Sequence, residues 1–357
     1  MPISTRSVSL TEVLDDLTLE GAPELTEYLE ENALRCHACG HRCLINDGKR
    51  GICKVRFNDG GRLMVPMNYV ASLACDPTEK KPFFHVMPGS DTLTFGMLGC
   101  DLHCAYCQNW LTSQALRDGA AGTDPRITTA DCLVSLAREY GARMVGTSYN
   151  EPLITAEWAI EVFKKAKPAG FTTAFISNGN ATPQVLDYIR PWTDCYKIDL
   201  KSMSDRNYRQ LGGVVNNILE TVQMVYDRGF WEEIVTLVIP GFNDSQDELK
   251  RAADFIAEVS TDIPWHVTAF HQDYNMRENA NTTAEQLIAA CEIGREAGLH
   301  FVYAGNLPGR VGKWENTYCP TCDELLIERY GYAIRQMKVT RDGACPTCAT
   351  DIPGVWS

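Results

Sequence analysis

Cys100, Cys104 and Cys107 stand in the run Gly99-Cys100-Asp101-Leu102-His103-Cys104-Ala105-Tyr106-Cys107-Gln108-Asn109, spaced C-x3-C-x2-C with an aromatic before the last thiol. Three thiolates serve only three irons of a [4Fe–4S] cube and leave the fourth iron open to another ligand. A zinc knuckle short of one donor, or a set of small buried thiols, fits the same spacing.

Two further cysteine sets flank this one. Cys36, Cys39, Cys43 and Cys53 fall within eighteen positions, amid glycine and polar turn residues. Such a loop has little apolar content to fold around, so a bound ion would supply the missing stabilisation. Zinc is the first choice, with His37 or His41 able to replace a thiol; a second iron–sulfur cluster competes, because four thiolates suit either. Near the other end, Cys319-Pro320-Thr321-Cys322 and Cys345-Pro346-Thr347-Cys348 form two knuckles that fit a tetrahedral zinc ribbon. Rubredoxin-type iron and an auxiliary cluster use the same donors. Four thiolates leave that metal no open position, which points to a structural or partner-facing role.

The elements that must position the central thiols follow from hydrophobic periodicity. Candidate strands are 92–97, 143–148, 172–177, 195–200, 233–239 and 265–270, with 300–303 as a possible seventh. Helical periodicity is clearest over 129–140, 156–166, 216–228, 246–259 and 284–297. Repeated βα units imply parallel strands with right-handed crossovers, hence an α/β barrel or a doubly wound sheet. Nearly every strand ends in polar residues, and in a barrel those ends converge on the active site. The three cysteines follow the first strand, Tyr149-Asn150-Glu151-Pro152 the second and Ser177-Asn178-Gly179-Asn180 the third. Asp199-Leu200-Lys201 lies on the fourth, Pro240-Gly241-Phe242-Asn243 follows the fifth, and His266 lies on the sixth. Any one of these fits a turn or cap; six in phase point to a site.

Ahead of the barrel, residues 1–34 read as an acidic, helical lead-in, and 54–90 as short strands and loops that include 62–67. The run Lys80-Lys81-Pro82-Phe83-Phe84-His85 leads into the first barrel strand; such a run is more often a solvated connector, which leaves His85 a weak candidate for the substrate face.

Composition narrows the function. A chain of 357 residues with 45% hydrophobic content can bury a large core. Fifteen cysteines, an odd count with repeated C-x2-C pairs and no signal-peptide pattern, predict metal-bound thiolates in the reducing cytoplasm. A net charge of −13 argues against nucleic acid as a partner, and no apolar run is long enough to span a membrane.

Residues 91–305 resemble the pyruvate formate-lyase activase-like branch of the radical S-adenosylmethionine (SAM) superfamily. The whole chain resembles the radical SAM member of the AmmeMemoRadiSam group, through Asp76-Pro77-Thr78-Glu79-Lys80-Lys81-Pro82, Cys107-Gln108-Asn109, Tyr149-Asn150-Glu151-Pro152 and the terminal cysteine pairs. The resemblance implies a partial (β/α)6 barrel at 91–305, a cysteine-rich metal-binding region at 1–90 and a zinc-ribbon-like domain at 306–357. It implies that Cys100, Cys104 and Cys107 hold a [4Fe–4S] cluster, with Tyr106 packed beside the cofactor. Asn150 and Glu151 would meet the SAM amino group, mostly through backbone at a strand edge, although Tyr149-Asn150 replaces the usual two glycines. Ser177 and Asn178 would meet the methionyl or ribose part, and Asp199, Lys201 and His266 the ribose and carboxylate. The implied chemistry is reductive cleavage of SAM to methionine and a 5′-deoxyadenosyl radical, which takes a hydrogen atom from a small-molecule or protein substrate. A flavodoxin or ferredoxin would supply the electron, and companion proteins of the AmmeMemoRadiSam group are the expected partners. Activation of a glycyl-radical enzyme is the alternative, and a zinc-bearing, non-catalytic binding protein the second.

Overall fold

The computed structural model describes residues 9–357. Its frame is one eight-stranded sheet: β1 (Ser72–Pro77), β2 (Asp91–Gly96), β3 (Met144–Thr147), β4 (Thr172–Ser177), β5 (Cys195–Asp199), β6 (Trp231–Val238), β7 (Trp265–Ala269) and β8 (Val302–Gly305). These lie side by side in chain order. Strands β2 to β8 are mutually parallel, and β1 runs antiparallel to β2, from Ser72 opposite Gly96 to Pro77 opposite Asp91. The six expected strands are present, the seventh joins them, and the sheet starts earlier than 91 because β1 extends it.

Helices cross between successive parallel strands: α1 (Ala130–Glu139), α2 (Ala156–Ala166), α3 (Pro183–Ile189), α4 (Asp205–Leu211), α5 (Val215–Asp227), α6 (Gln246–Val259) and α7 (Ala284–Glu296). Their starts are written locally. Thr129, Thr182, Ser204, Ser245 and Thr283 each accept a backbone N–H from the first turn, and Thr283 with Gln286 forms a reciprocal capping box. Each helix turns an apolar stripe to the sheet; Trp158, Val162 and Phe163 of α2 are buried in the main core with Phe175 of β4.

The acidic lead-in departs from expectation. Its first eight residues lie outside the described residues, and the remainder holds one short helix, Leu10–Asp15, closed by a Ser9–Glu12 capping box. Thr18–Glu20 instead pairs with Arg62–Pro66, and Thr26–Tyr28 pairs with Leu34–Cys36. Strand partners supplied from further along the chain satisfy backbone groups that a helix would have satisfied locally. Near the other end, Thr317–Tyr318, Leu325–Tyr330 and Ala333–Met337 make a three-stranded antiparallel sheet.

The run 83–87 forms the floor of the barrel and is not a solvated connector. Phe83, Val86 and Met87 pack on Met144, Ala174 and Cys195, and Val355 pairs with Val86 from the chain's other end. His85 is fully buried, with Nδ1 2.6 Å from the Pro353 carbonyl and Nε2 2.6 Å from the Tyr303 hydroxyl. Burial pushes its imidazole down to about 4. His85 therefore locks the floor and does not face a substrate.

Candidate active site

The loop after β2 carries Cys100, Cys104 and Cys107 across the C-terminal mouth of the barrel. Gly96 makes the approach possible, since a Cβ there would stand 2.2 Å from the Ser148 carbonyl oxygen. The loop is pinned from several sides. Thr112 donates its hydroxyl to the Tyr149 carbonyl, Arg117 donates to the carbonyls of Leu102 and Ile52, and the Asn275 amide donates to Ala105. Two of the three sulfurs have donors suited to a thiolate: the Leu102 N–H lies 3.4 Å from Cys100 Sγ, and the Ser113 hydroxyl 3.2 Å from Cys107 Sγ. Burial pushes the Cys104 thiol up to about 12, against the pull of the nearby Lys201 ammonium. Such thiols ionise when a metal takes the charge, so the donor set fits an iron–sulfur cluster.

Tyr106 is buried among Leu102, Cys104, Leu211, Ile239 and Phe270, with its ring edge-on to Phe242 at 5.9 Å. These apolar groups shield one side of the thiol triad from water. On the opposite side a polar lattice joins three strand ends. Asp101, fully buried, accepts from the side-chain amides of Asn178 and Asn180, each at 2.8 Å. Glu151 accepts from the Ser177 hydroxyl at 2.7 Å, the Asn178 N–H at 2.7 Å and the Leu153 N–H at 3.0 Å. Both Glu151 oxygens are thus committed to the protein, which makes the residue a brace between the β3 and β4 ends. Asn150 continues the strand edge by accepting the Met97 N–H at 3.1 Å, with Tyr149 before it in the left-handed region at φ 69°.

Along the lumen face of β5, Lys197 and Asp199 are two residues apart and point the same way. Asp199 is paired with both Lys197 and Lys201, the latter at 3.3 Å. The two ammonium groups hold the Asp199 carboxyl below its ordinary value although burial opposes them, and Asp199 in turn helps keep Lys201 charged. Two cations around one anion leave a net positive charge beside Cys104, suited to a carboxylate. Asn243 ties this strand end to the next by donating to the carbonyls of Lys201 and Leu237.

His266 does not join this group. It is the second residue of β7, well below the mouth, with Nε2 2.6 Å from Glu233 and its ring packed on Phe84 and Tyr303. Glu233 also accepts from the amides of Phe84 and His85 and from the Trp231 indole. The histidine that reaches the mouth is His271, just past β7, with Nε2 3.0 Å from the Gln108 amide beside Cys107. Its position one residue beyond Phe270 was a usable signal; Lys197 and Asp101 were legible only through their neighbours.

The terminal cysteine sets differ in geometry. The sulfurs of Cys319, Cys322, Cys345 and Cys348 lie within 4.8 Å of one another, with Cys319–Cys348 at 3.5 Å and Cys322–Cys345 at 3.7 Å, so this set can hold one metal ion. Cys36, Cys39 and Cys53 are buried and Cys43 is partly so, on a loop whose Gly40 N–H donates to the Asn180 carbonyl.

Residues 95–256 match the Radical SAM superfamily. The uncharacterized protein MJ0808 of Methanocaldococcus jannaschii is 35% identical over 306 residues, 85% of this chain and 90% of that protein. This chain belongs to the radical SAM superfamily. The pyruvate formate-lyase 1-activating enzyme of Escherichia coli is 27% identical over 205 residues, 54% of this chain and 80% of that enzyme. A crystallised domain of a pyruvate-formate lyase-activating enzyme from Bacteroides vulgatus superposes with a TM-score of 0.40 at 20% identity, covering 46% of this chain and 99% of that domain. Membership of the superfamily implies a [4Fe–4S] cluster and SAM, and the radical SAM α/β fold is the one described above. Among the described residues no helix is long and apolar enough to cross a membrane.

Proposed function

We propose that Cys100, Cys104 and Cys107 hold the [4Fe–4S] cluster and that the mouth of the barrel seats SAM against it. The cluster, when bound and reduced, would supply the electron that splits SAM into methionine and a 5′-deoxyadenosyl radical. The observation that carries this reading is the thiol triad beside the Lys197–Asp199–Lys201 group, on the face of the barrel where strand ends converge. Lys201 is suited to the SAM carboxylate and Asp199 to the ribose hydroxyls, with Asn150 at the half-buried strand edge toward the amino group. Ser177 and Asn178, braced by Glu151, set the wall along the methionyl and ribose parts. Tyr106, Phe242, Ile239 and Phe270 exclude solvent and the competing hydrogen donors dissolved in it, which would otherwise quench a carbon radical.

The hydrogen donor is a small molecule or a protein. Activation of a glycyl-radical enzyme is favoured by the likeness to the E. coli activating enzyme, whereas the two flanking cysteine sets and the AmmeMemoRadiSam resemblance favour a separate pathway with companion proteins. A flavodoxin or ferredoxin fits as electron donor, and zinc fits the Cys319, Cys322, Cys345 and Cys348 set. Anaerobically reconstituted protein, once reduced, is expected to release 5′-deoxyadenosine from SAM, and a Cys100/Cys104/Cys107→Ala variant to release none. Intact SAM in the presence of the reduced, iron-loaded wild type would refute the reading. Deuterated candidate substrates, scored by deuterium in 5′-deoxyadenosine, would then identify the donor.

A further inference from the structure

We propose that Cys36, Cys39, Cys43 and Cys53 hold a second iron–sulfur cluster, a [4Fe–4S] cube with all four thiolates, which passes single electrons to the centre at Cys100, Cys104 and Cys107. The relay half of this proposal rests on the radical SAM reading; the cluster half does not.

Spacing carries the choice of metal. One zinc bonded to sulfur at about 2.3 Å draws its four thiolates to within about 4 Å of one another. The Cys319 set shows that contraction, at 3.5 and 3.7 Å across its two close pairs. Among the described residues, no three of the Cys36, Cys39, Cys43 and Cys53 sulfurs close to within 4.8 Å, and neither do the three of the central triad. The N-terminal set nevertheless shares one locality: Cys36 and Cys53 both lie in the electrostatic neighbourhood of Cys39, and Cys36 in that of Cys43. Four thiols gathered in one place but too far apart for one ion match a cube, where each thiolate binds a different iron.

The loop also presents donors to those sulfurs. The Ile52 N–H lies 3.4 Å from Cys43 Sγ, the Val55 and Arg56 amides face the Cys53 sulfur, and the His41 amide faces that of Cys39. Amide hydrogen bonds to the sulfurs stabilise thiolate charge and set the potential of a cluster.

Placement carries the relay. His41 Nε2 lies 3.1 Å from the carbonyl oxygen of Asp101, the residue after Cys100. Arg117 joins the carbonyls of Ile52, next to Cys53, and Leu102, midway between Cys100 and Cys104. A Cβ on Gly99 would stand 3.1 Å from the Cys53 carbonyl oxygen, so the two cysteine loops touch through backbone. On the outer side, Cys43 is partly exposed between Leu44 and Ile52, both exposed, with Lys49 and Lys54 alongside. An apolar, basic edge on a chain of net charge −13 is where an acidic one-electron carrier would dock. The electron balance is simple: the carrier gives one electron, the outer cluster goes from the 2+ to the 1+ state and back, and the central centre receives that electron with no bond made or broken.

The test uses the full chain, reconstituted anaerobically with iron and sulfide. The expected content is about eight irons, two cubes, with about one zinc per chain. The Cys100/Cys104/Cys107→Ala variant is expected to keep about four irons and a reduced-cluster electron paramagnetic resonance signal that SAM leaves unchanged. Cys36→Ala/Cys39→Ala is expected to lose the outer cluster and most cleavage of SAM driven by a flavodoxin, while keeping cleavage driven by dithionite. A wild type with about four irons, or a triple variant without iron, overturns the proposal. If about eight irons are found but SAM stays intact, the cluster stands, the relay is overturned, and the radical SAM reading fails separately.

Discussion

Glu151 and His266 were both expected beside SAM, Glu151 mostly through its backbone, and the side chains of both are occupied within the protein in different ways. Burial and the charge of Asp101 hold the Glu151 carboxyl up at about 8, although three donors face it. A folded value above the unfolded one means that ionisation opposes folding. The contribution is fully present below about 4.5 and is lost as pH rises through about 8. Urea midpoints of the wild type should therefore fall relative to Glu151→Gln between about pH 5 and pH 8; parallel curves would mean a carboxylate ionised throughout. For His266, removal leaves Glu233 buried without its partner, so His266→Ala should cost about 3 kcal/mol or more in denaturant unfolding. SAM affinity of the folded variant should be unchanged. His271→Ala should do the reverse, keeping stability and weakening SAM binding as read by equilibrium dialysis. An affinity loss in His266→Ala would return that residue to the site. Both histidines sit in one apolar stretch of sequence; only the point at which β7 ends tells which of them reaches the mouth, and side-chain period does not mark that point.

At the scale of elements, what was legible is what announces itself locally. The helices α2 and α6 match their expected spans, because amphipathic periodicity runs for three or more turns, with an N-terminal cap in α6. The strand β4 does too, and the others differ by a residue or two at their ends. The antiparallel strand β1 was not legible, since it ends in proline and is half-buried along its whole length, without alternation. The three-residue strands near the N-terminus are shorter than any periodic signal, and the partner of Thr18–Glu20 lies far along the chain. The ends of β2 and β3 are joined more tightly than sequence reveals, with Gly96 against Ser148 and Tyr149 in the left-handed region. Gly96→Ala must push these strands apart. A cost of about 1–3 kcal/mol is expected, together with lower iron retention at the central triad on desalting, because the cysteine loop springs from this crossing. A variant that keeps both wild-type stability and full iron would show that the loop is positioned by its own contacts alone.

Across the whole molecule, three cysteine sets are arranged around one incomplete barrel. The sheet ends at β1 on one side and β8 on the other, and the C-terminal sheet stands across that seam. Tyr332, between its last two strands, places its hydroxyl 3.4 Å from the Asn306 side chain beyond β8, and it lies in the electrostatic neighbourhood of Asp76 on β1 and of Lys80 just past it. A cleft of about 510 Å³ opens at the same place, reaching from Gln108 and His271 at the cluster loop to Phe84 at the floor, with Tyr330 and Tyr332 as its outer wall. Arg329 anchors the wall by donating to the Thr317 hydroxyl and the Phe84 carbonyl while its guanidinium lies 4.3 Å over the Phe84 ring. The sheet has a core of only a few buried side chains, so the Cys319, Cys322, Cys345 and Cys348 metal would supply much of its stability. Removing that metal with a thiol-competing chelator, or by Cys319→Ser/Cys345→Ser, should raise hydrogen exchange over residues 317–337. Exchange at 84–87 should rise with it, because the wall and the floor share Arg329. The central thiols should keep their iron, since none of their contacts runs through this sheet. Uncoupled production of 5′-deoxyadenosine should then increase relative to substrate turnover, because an open seam admits dissolved thiols and other hydrogen donors to the mouth. If exchange at 84–87 stays at the wild-type level after the metal is gone, the sheet is an independent module and the seam is closed by the barrel itself.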